Sequence, residues 1–123
     1  MSSPKGLTPF RKIFPEGHTL LTEGESGSSF YILERGTLEV RVHGKAVSTI
    51  TAKDEVEFVG EVAALLSTPR TATVIAKTEV SALYFEAGNF EKIIAAAPSL
   101  GMKLARSLAK KLSALQSPEK KAA

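Results

Sequence analysis

The 123 residues contain no cysteine and no tryptophan, one aspartate (Asp54) and two histidines. Each shortage closes a class of function. Without cysteine there is no disulfide scaffold, no zinc ribbon and no cysteine nucleophile. The same absence is compatible with a reducing cytoplasm, the location we expect. With Asp54 as the sole aspartate and no nucleophile-elbow sequence, a Ser-His-Asp hydrolase has no basis. His18 and His43 lie in different turns with no further ligand at metal spacing, so no metal site is expected. The chain therefore reads as a binding protein and not as an enzyme. Long hydrophobic runs are also missing. The longest is of the order of Ile93-Ile94-Ala95-Ala96-Ala97, whereas a membrane-spanning helix needs about 20 apolar residues. Met1-Ser2-Ser3-Pro4-Lys5 leads into no apolar stretch of a secretion signal.

Apolar residues make up 43% of the chain, too many for intrinsic disorder, and the length fits one compact domain. The net charge of +3 is unevenly placed. Residues 102–123 carry six cations and one anion, or +5; the remaining residues carry ten cations and twelve anions, or −2. A body that tracks nucleic-acid phosphates needs the opposite balance, so no DNA partner is expected.

Turn residues punctuate the first 90 positions. Gly17, Gly24, Gly27, Gly36 and Gly44 recur at short intervals with short apolar or alternating runs between them, the pattern of a sandwich or barrel of about eight short strands. Phe30-Tyr31-Ile32-Leu33 reads as a strand, with both aromatics in the core. Thr37 to Val42 alternates polar and apolar and should bury one face. Arg35-Gly36 is expected to join these two runs as a tight turn, and His43-Gly44-Lys45 to make the next, into a strand over 46–50. Residues 60–66 lack alternation and are good helix formers, predicting one or two helical turns ended by Pro69. Thr71–Lys77 and Glu79–Phe85 return to strands. Beyond them the chain is helical. Asn89 is placed to cap a short helix, and Pro98 suits the first turn of a second. Leu100, Leu104, Leu108, Leu112 and Leu115 recur every three to four residues as one apolar stripe. It packs on the strands or on a second copy, which makes a homodimer through this helix compatible with the pattern. Residues 116–123 are expected to be a frayed basic tail.

The chemistry concentrates in Phe58 to Val74. Gly60 permits close backbone approach, and the first N–H groups of the helix that follows have no intrahelical partners. Free N–H groups and the helix dipole favour an anion. Eight residues separate Glu61 from Arg70, enough for a helical turn and a return that brings Arg70 to the same anion, with its planar fork of donors. Beside an anion, Glu61 can accept from a sugar hydroxyl. Phosphate plus ribose is a nucleotide. The plainer alternative is a structural salt bridge between Glu61 and Arg70.

Gly60-Glu61-Val62-Ala63, a short apolar helix and Pro69-Arg70-Thr71-Ala72-Thr73-Val74 resemble the phosphate-binding cassette of cyclic nucleotide-binding domains. Gly24-Glu25 through Phe30-Tyr31-Ile32-Leu33 and Gly36-Thr37-Leu38-Glu39-Val40 resemble that family's earlier motifs, and Phe90 through Leu115 its closing helices. The likeness covers about residues 10–115, which we take as the domain. It implies a mainly β fold, a β-roll or jelly-roll-like double-stranded β-helix with C-terminal helices. It also implies a ligand, cAMP ahead of cGMP, with no cofactor. The cassette Gly and Glu of the family hold the ribose 2′-hydroxyl and the Arg pairs with the cyclic phosphate. These roles pass to Gly60, Glu61 and Arg70, and the expected ligand-binding set is Val59, Gly60, Glu61, Val62, Ala63, Arg70, Thr71 and Ala72. Two positions depart from the family pattern: Glu55-Val56-Glu57 stands where a Gly-containing turn is usual, and Val59 where Phe is common. The resemblance further implies that ligand reorganises a hinge near Phe85–Phe90 and draws in the last helix as a lid, with Leu104 or Leu108 over the base. We expect a stand-alone sensor whose output is an unidentified effector protein. A module that keeps the fold for ligand-independent protein interaction is the alternative, and a piece of a longer DNA-binding regulator ranks third.

Overall fold

The structure, a computed structural model, describes residues 11–53, 57–86, 88 and 90–116. The strands are β1 (Arg11–Phe14), β2 (Thr19–Leu21), β3 (Ser29–Arg35), β4 (Thr37–Val42), β5 (Lys45–Thr51), β6 (Glu57–Val59), β7 (Thr73–Ala76) and β8 (Val80–Glu86). The helices are α1 (Glu61–Leu66), between β6 and β7, and α2 (Phe90–Ala96) and α3 (Pro98–Gln116) at the end. Two antiparallel four-stranded sheets form, in the orders β1-β8-β3-β6 and β2-β7-β4-β5. This is the expected β-roll with C-terminal helices.

The central strands of the first sheet, β3 and β8, are buried on both faces, while its edge strand β1 is mostly exposed. Phe30 and Ile32 of β3 pair with Phe85 and Leu83 of β8 and point to the helices. Tyr31 and Leu33 point the other way, into the space between the sheets. That two-sided burial explains why β3 reads as an unbroken apolar run. On the helix side, Phe90 of α2 stacks on Phe30 with ring centroids 4.1 Å apart, and Leu100 and Leu104 of α3 close the cluster. The second sheet buries one face: Leu38 and Val40 of β4 face inward with Ala76 and Val74 of β7.

Two turns expected from sequence resolve differently. His43 and Gly44 both have positive φ, 52° and 80°, and close a two-residue hairpin between β4 and β5 with Val42 opposite Lys45. Arg35-Gly36 is no hairpin. β3 and β4 lie in different sheets, and Gly36 is the corner between them. Its φ is 97°, and a Cβ there would sit 2.5 Å from the Glu79 carbonyl oxygen and 2.6 Å from Val80 Cγ1, so only glycine lets the chain cross.

The helices differ in detail too. α1 stops at Ser67, left-handed with φ 56°, whose N–H donates to the Ala63 carbonyl, two residues before Pro69. Pro98 opens α3 as expected. The leucine stripe does not stay buried along α3. Leu100 and Leu104 are in the core, Leu108 is partly covered, and Leu112 is 56% exposed. The side chain of Leu115, Asn89 as a cap, Val56, residue 10 and the tail over 117–123 lie outside the described residues.

Candidate functional site

Between the inner face of the second sheet and α1 lies a cavity of about 570 Å³. Its walls come from Leu21, Val40, Ser48, Ile50, Phe58 and Val74, from all eight residues expected at the site, and from Lys111 of α3. The volume lies within the roughly 300–1,000 Å³ of small-molecule sites.

Gly60 sets the local geometry. It is the N-cap of α1 with φ 82°, and a Cβ there would meet Arg70 Nη1 and Leu21 Cδ1, each at 3.0 Å. The left-handed conformation favours glycine, and a Cβ would press on both side chains. Val59, where Phe is common in the family, completes β6, is buried in the inter-sheet core and borders the cavity.

Arg70 is 6% exposed. Its Nη1 donates to the Gly60 carbonyl at 2.9 Å, and Nη2 donates to the Ser29 carbonyl at 2.6 Å and to Ser29 Oγ at 3.2 Å. Its backbone is tied to the 24–25 turn: Gly24 N–H donates to the Arg70 carbonyl and Arg70 N–H to the Glu25 carbonyl, both at 2.9 Å. Gly27 leaves room for the guanidinium, since a Cβ there would fall 2.8 Å from Nη2. The arginine is thus pinned by neutral carbonyls and keeps its charge for an anion. Burial pushes the Tyr31 phenol above its ordinary range, and the Arg70 cation pulls it the other way.

Glu61 is fully buried. It forms no ion pair with Arg70 among the described residues, so the two are not a structural salt bridge. Its Oε2 accepts from Lys111 Nζ at 2.5 Å, and Oε1 has no partner among the described residues. A buried arginine and a buried carboxylate thus share one cavity wall, turned to different neighbours.

The model of the cyclic nucleotide-binding domain matches residues 11–97. The chain belongs to that family. A cAMP-dependent protein kinase regulatory subunit of Yarrowia lipolytica is 35% identical over 83 residues, 68% of this chain and 22% of that protein. The chain therefore spans about a fifth of that relative's length. The catabolite activator protein of Thermus thermophilus shares the fold at a TM-score of 0.69 and 23% identity, over 84% of this chain and 49% of that one. PKAR CBD2 bound to Sp-2Cl-cAMPS matches at a TM-score of 0.63 and 26% identity, over 85% and 70%.

Within this cyclic nucleotide-binding domain, three participants escape a reading of the cassette alone. Ser29 and Gly27 build the arginine's cradle, and the signal for them is the Gly24–Ser29 turn run. Lys111 is the third. Among the described side chains of α3, Lys111 lines the cavity, while Leu104 and Leu108 belong to the helix-side core. Phe30 and Tyr31 pack in the two cores, as expected, and do not line the cavity. Among the described residues, no group of three or more His, Cys, Asp or Glu is arranged to hold a metal, and no helix is long and apolar enough to cross a membrane.

Proposed function

We propose that this domain binds a 3′,5′-cyclic nucleotide, cAMP ahead of cGMP, and passes the event through α3 to a partner protein. The observation that carries the reading is the pairing of buried Arg70 and buried Glu61 on one cavity wall, each held by groups other than the other. The guanidinium binds the cyclic phosphate. Glu61 accepts the ribose 2′-hydroxyl, which its unpartnered Oε1 suits. Backbone N–H groups near Val62, Ala63 and Ala72 complete the phosphate contacts, and the base lies along the apolar wall of Val40 and Ile50. Thr71 reaches phosphate or base. The order of cAMP over cGMP draws on the kinase regulatory subunits among the relatives.

Ligand would shift the population toward an α3-docked state by binding that state more tightly. The effector protein reads the position of α3, no cofactor takes part, and the setting is cytoplasmic. The alternative, a ligand-independent interaction module, expects the pocket to be filled by the protein's own side chains. Lys111 reaches Glu61, yet about 570 Å³ stays open, which favours a ligand.

Calorimetric titration with cAMP and cGMP, with Arg70→Ala as control, tests the reading. Saturable binding that Arg70→Ala abolishes is expected. Ligand at a hundred times its Kd should add about 2.7 kcal/mol of stability and raise the melting temperature by roughly 5 °C or more. No heat and no shift at millimolar ligand overturn it.

A further inference from the structure

Glu61 lines the cavity, and one oxygen of its carboxylate is an acceptor left unused among the described residues. Glu61 Oε1 is buried without a hydrogen-bond partner, while Oε2 of the same carboxylate takes Lys111 Nζ from α3, 50 positions away in sequence. A carboxylate removed from water needs its charge countered and its lone pairs filled. Lys111 supplies the charge and fills one oxygen. Its side chain is half exposed, whereas that of Glu61 is 1% exposed, so the lysine reaches in from the surface and closes over the acid. Of the cations on α3, Lys111 is the one with an ion pair among the described residues.

We propose that Lys111 is the positioning residue through which α3 senses an occupied cavity: it clamps Glu61 by one oxygen and leaves the other for a ligand hydroxyl. The inference rests on the cyclic-nucleotide reading above and adds the residue that links site to helix. With α3 docked, Oε1 is sealed and unpaired, and a ligand hydroxyl fills it. With α3 away, Lys111 leaves and water solvates both oxygens, so the same hydroxyl only replaces water. The hydroxyl gains more in the docked state. A ligand moves an equilibrium only by such a difference, and by reciprocity docking strengthens binding by the same factor. A blocking role for Lys111 would have it occupy both oxygens or fill the cavity. It takes one oxygen and leaves the cavity open.

The test combines calorimetry with hydrogen exchange of α3, using whichever of cAMP and cGMP binds, on the full chain and on Lys111→Met, Lys111→Arg and Lys110→Met. Lys110 is exposed on the same helix and serves as control. The unmodified chain should gain protection over residues 105–113 on binding. Lys111→Met should bind roughly ten- to a hundredfold weaker, the range for losing one hydrogen bond to a charged group, and lose the ligand-induced protection of α3 while β3 and β8 keep theirs. Lys111→Arg should restore both, and Lys110→Met should match the unmodified chain. Protection over 98–104 without ligand reports whether α3 is docked. If Lys111→Met undocks it, Lys111→Gln, which keeps a donor without the charge, replaces it. Equal affinity and equal α3 protection in Lys111→Met overturn the role of Lys111 and leave the nucleotide reading standing. Tighter binding in Lys111→Met makes the lysine a blocker and overturns it too. Failure of the unmodified chain to bind either nucleotide overturns the nucleotide reading itself.

Discussion

The two sheets have four strands each and are buried differently. The β1-β8-β3-β6 sheet has a packed face on each side: Phe30, Ile32, Leu83 and Phe85 against the helices, Tyr31, Leu33, Val80 and Ala82 against the other sheet. The β2-β7-β4-β5 sheet has one inward face, and its edge strand β5 is exposed along most of its length. Even that inward face is incompletely covered. Val40 and Ile50 are partly buried and look onto the cavity. Packing covers both faces of the central strands β3 and β8 of the first sheet and stops short on the second, and the candidate site lies where it stops. A doubly covered strand carries the arginine's anchor at Ser29, and a half-covered sheet supplies the open wall.

Paired truncations test that contrast most severely. Phe30→Ala removes a fully buried ring stacked between Phe85 and Phe90 and should cost about 3–5 kcal/mol, lowering the melting temperature by roughly 10–20 °C. Val40→Ala on the second sheet should cost about 1 kcal/mol, since its side chain is partly covered and cavity space adjoins it. Urea denaturation of both variants checks the pair. Similar losses would mean that the two sheets share the core equally.

Gly60 lies at the junction of the two regions, and Gly60→Ala should have an intermediate effect. The left-handed conformation alone costs a non-glycine residue about 1–2 kcal/mol. The added Cβ also presses on Arg70 Nη1 and Leu21 at 3.0 Å. Chemical denaturation should show that loss. Calorimetry with cyclic nucleotide should show a larger one, because the guanidinium must move. Full stability with full binding would contradict the geometry of the cassette.

How much of this was legible in the sequence follows from the same contrast. The alternation of Thr37–Val42 and the apolar run of Phe30–Leu33 are local patterns, and both read correctly. The corner at Gly36 did not. A glycine after a strand reads as a hairpin turn, and only the close approach of Glu79 and Val80, more than 40 positions on, makes it a crossing between sheets. The eight cassette residues are contiguous enough to be recognised together, and the structure lines one cavity with all of them. Ser29 acts mainly through a backbone carbonyl, which any residue possesses, so the Gly24–Ser29 turn run around it, and not its own side chain, is what marks it. Lys111 is one of several cations on α3, and only the packing of that helix selects it. The leucine stripe showed where α3 can be buried. Among the described side chains, burial ends near Leu108, and past it Lys111 makes the contact that reaches the site.

The smallest effect expected is electrostatic and sits at the end of β8, where the doubly covered sheet meets solvent. The Glu86 carboxylate accepts hydrogen bonds from the Tyr84 hydroxyl and from Ser28 Oγ, the latter at 2.7 Å. These bonds, Tyr84 first, hold the Glu86 carboxyl below its ordinary range, and the bond to Glu86 pushes the Tyr84 phenol up. A carboxyl lowered by folding stabilises the protein above its unfolded value of about 4.3, and that contribution disappears as pH falls through the folded value. Glu86 is exposed and Tyr84 only partly buried, so solvent keeps the effect small. Tyr84→Phe removes the largest cause. The variant should be slightly less stable than the unmodified chain at pH 7, and the gap should narrow between pH 5 and pH 3 in paired urea melts. A gap that is constant across that range would assign the loss to contacts of the hydroxyl other than the titrating carboxylate, the one with Ser29 included, and the polar end of β8 would then contribute no pH dependence to the sheet that carries Ser29.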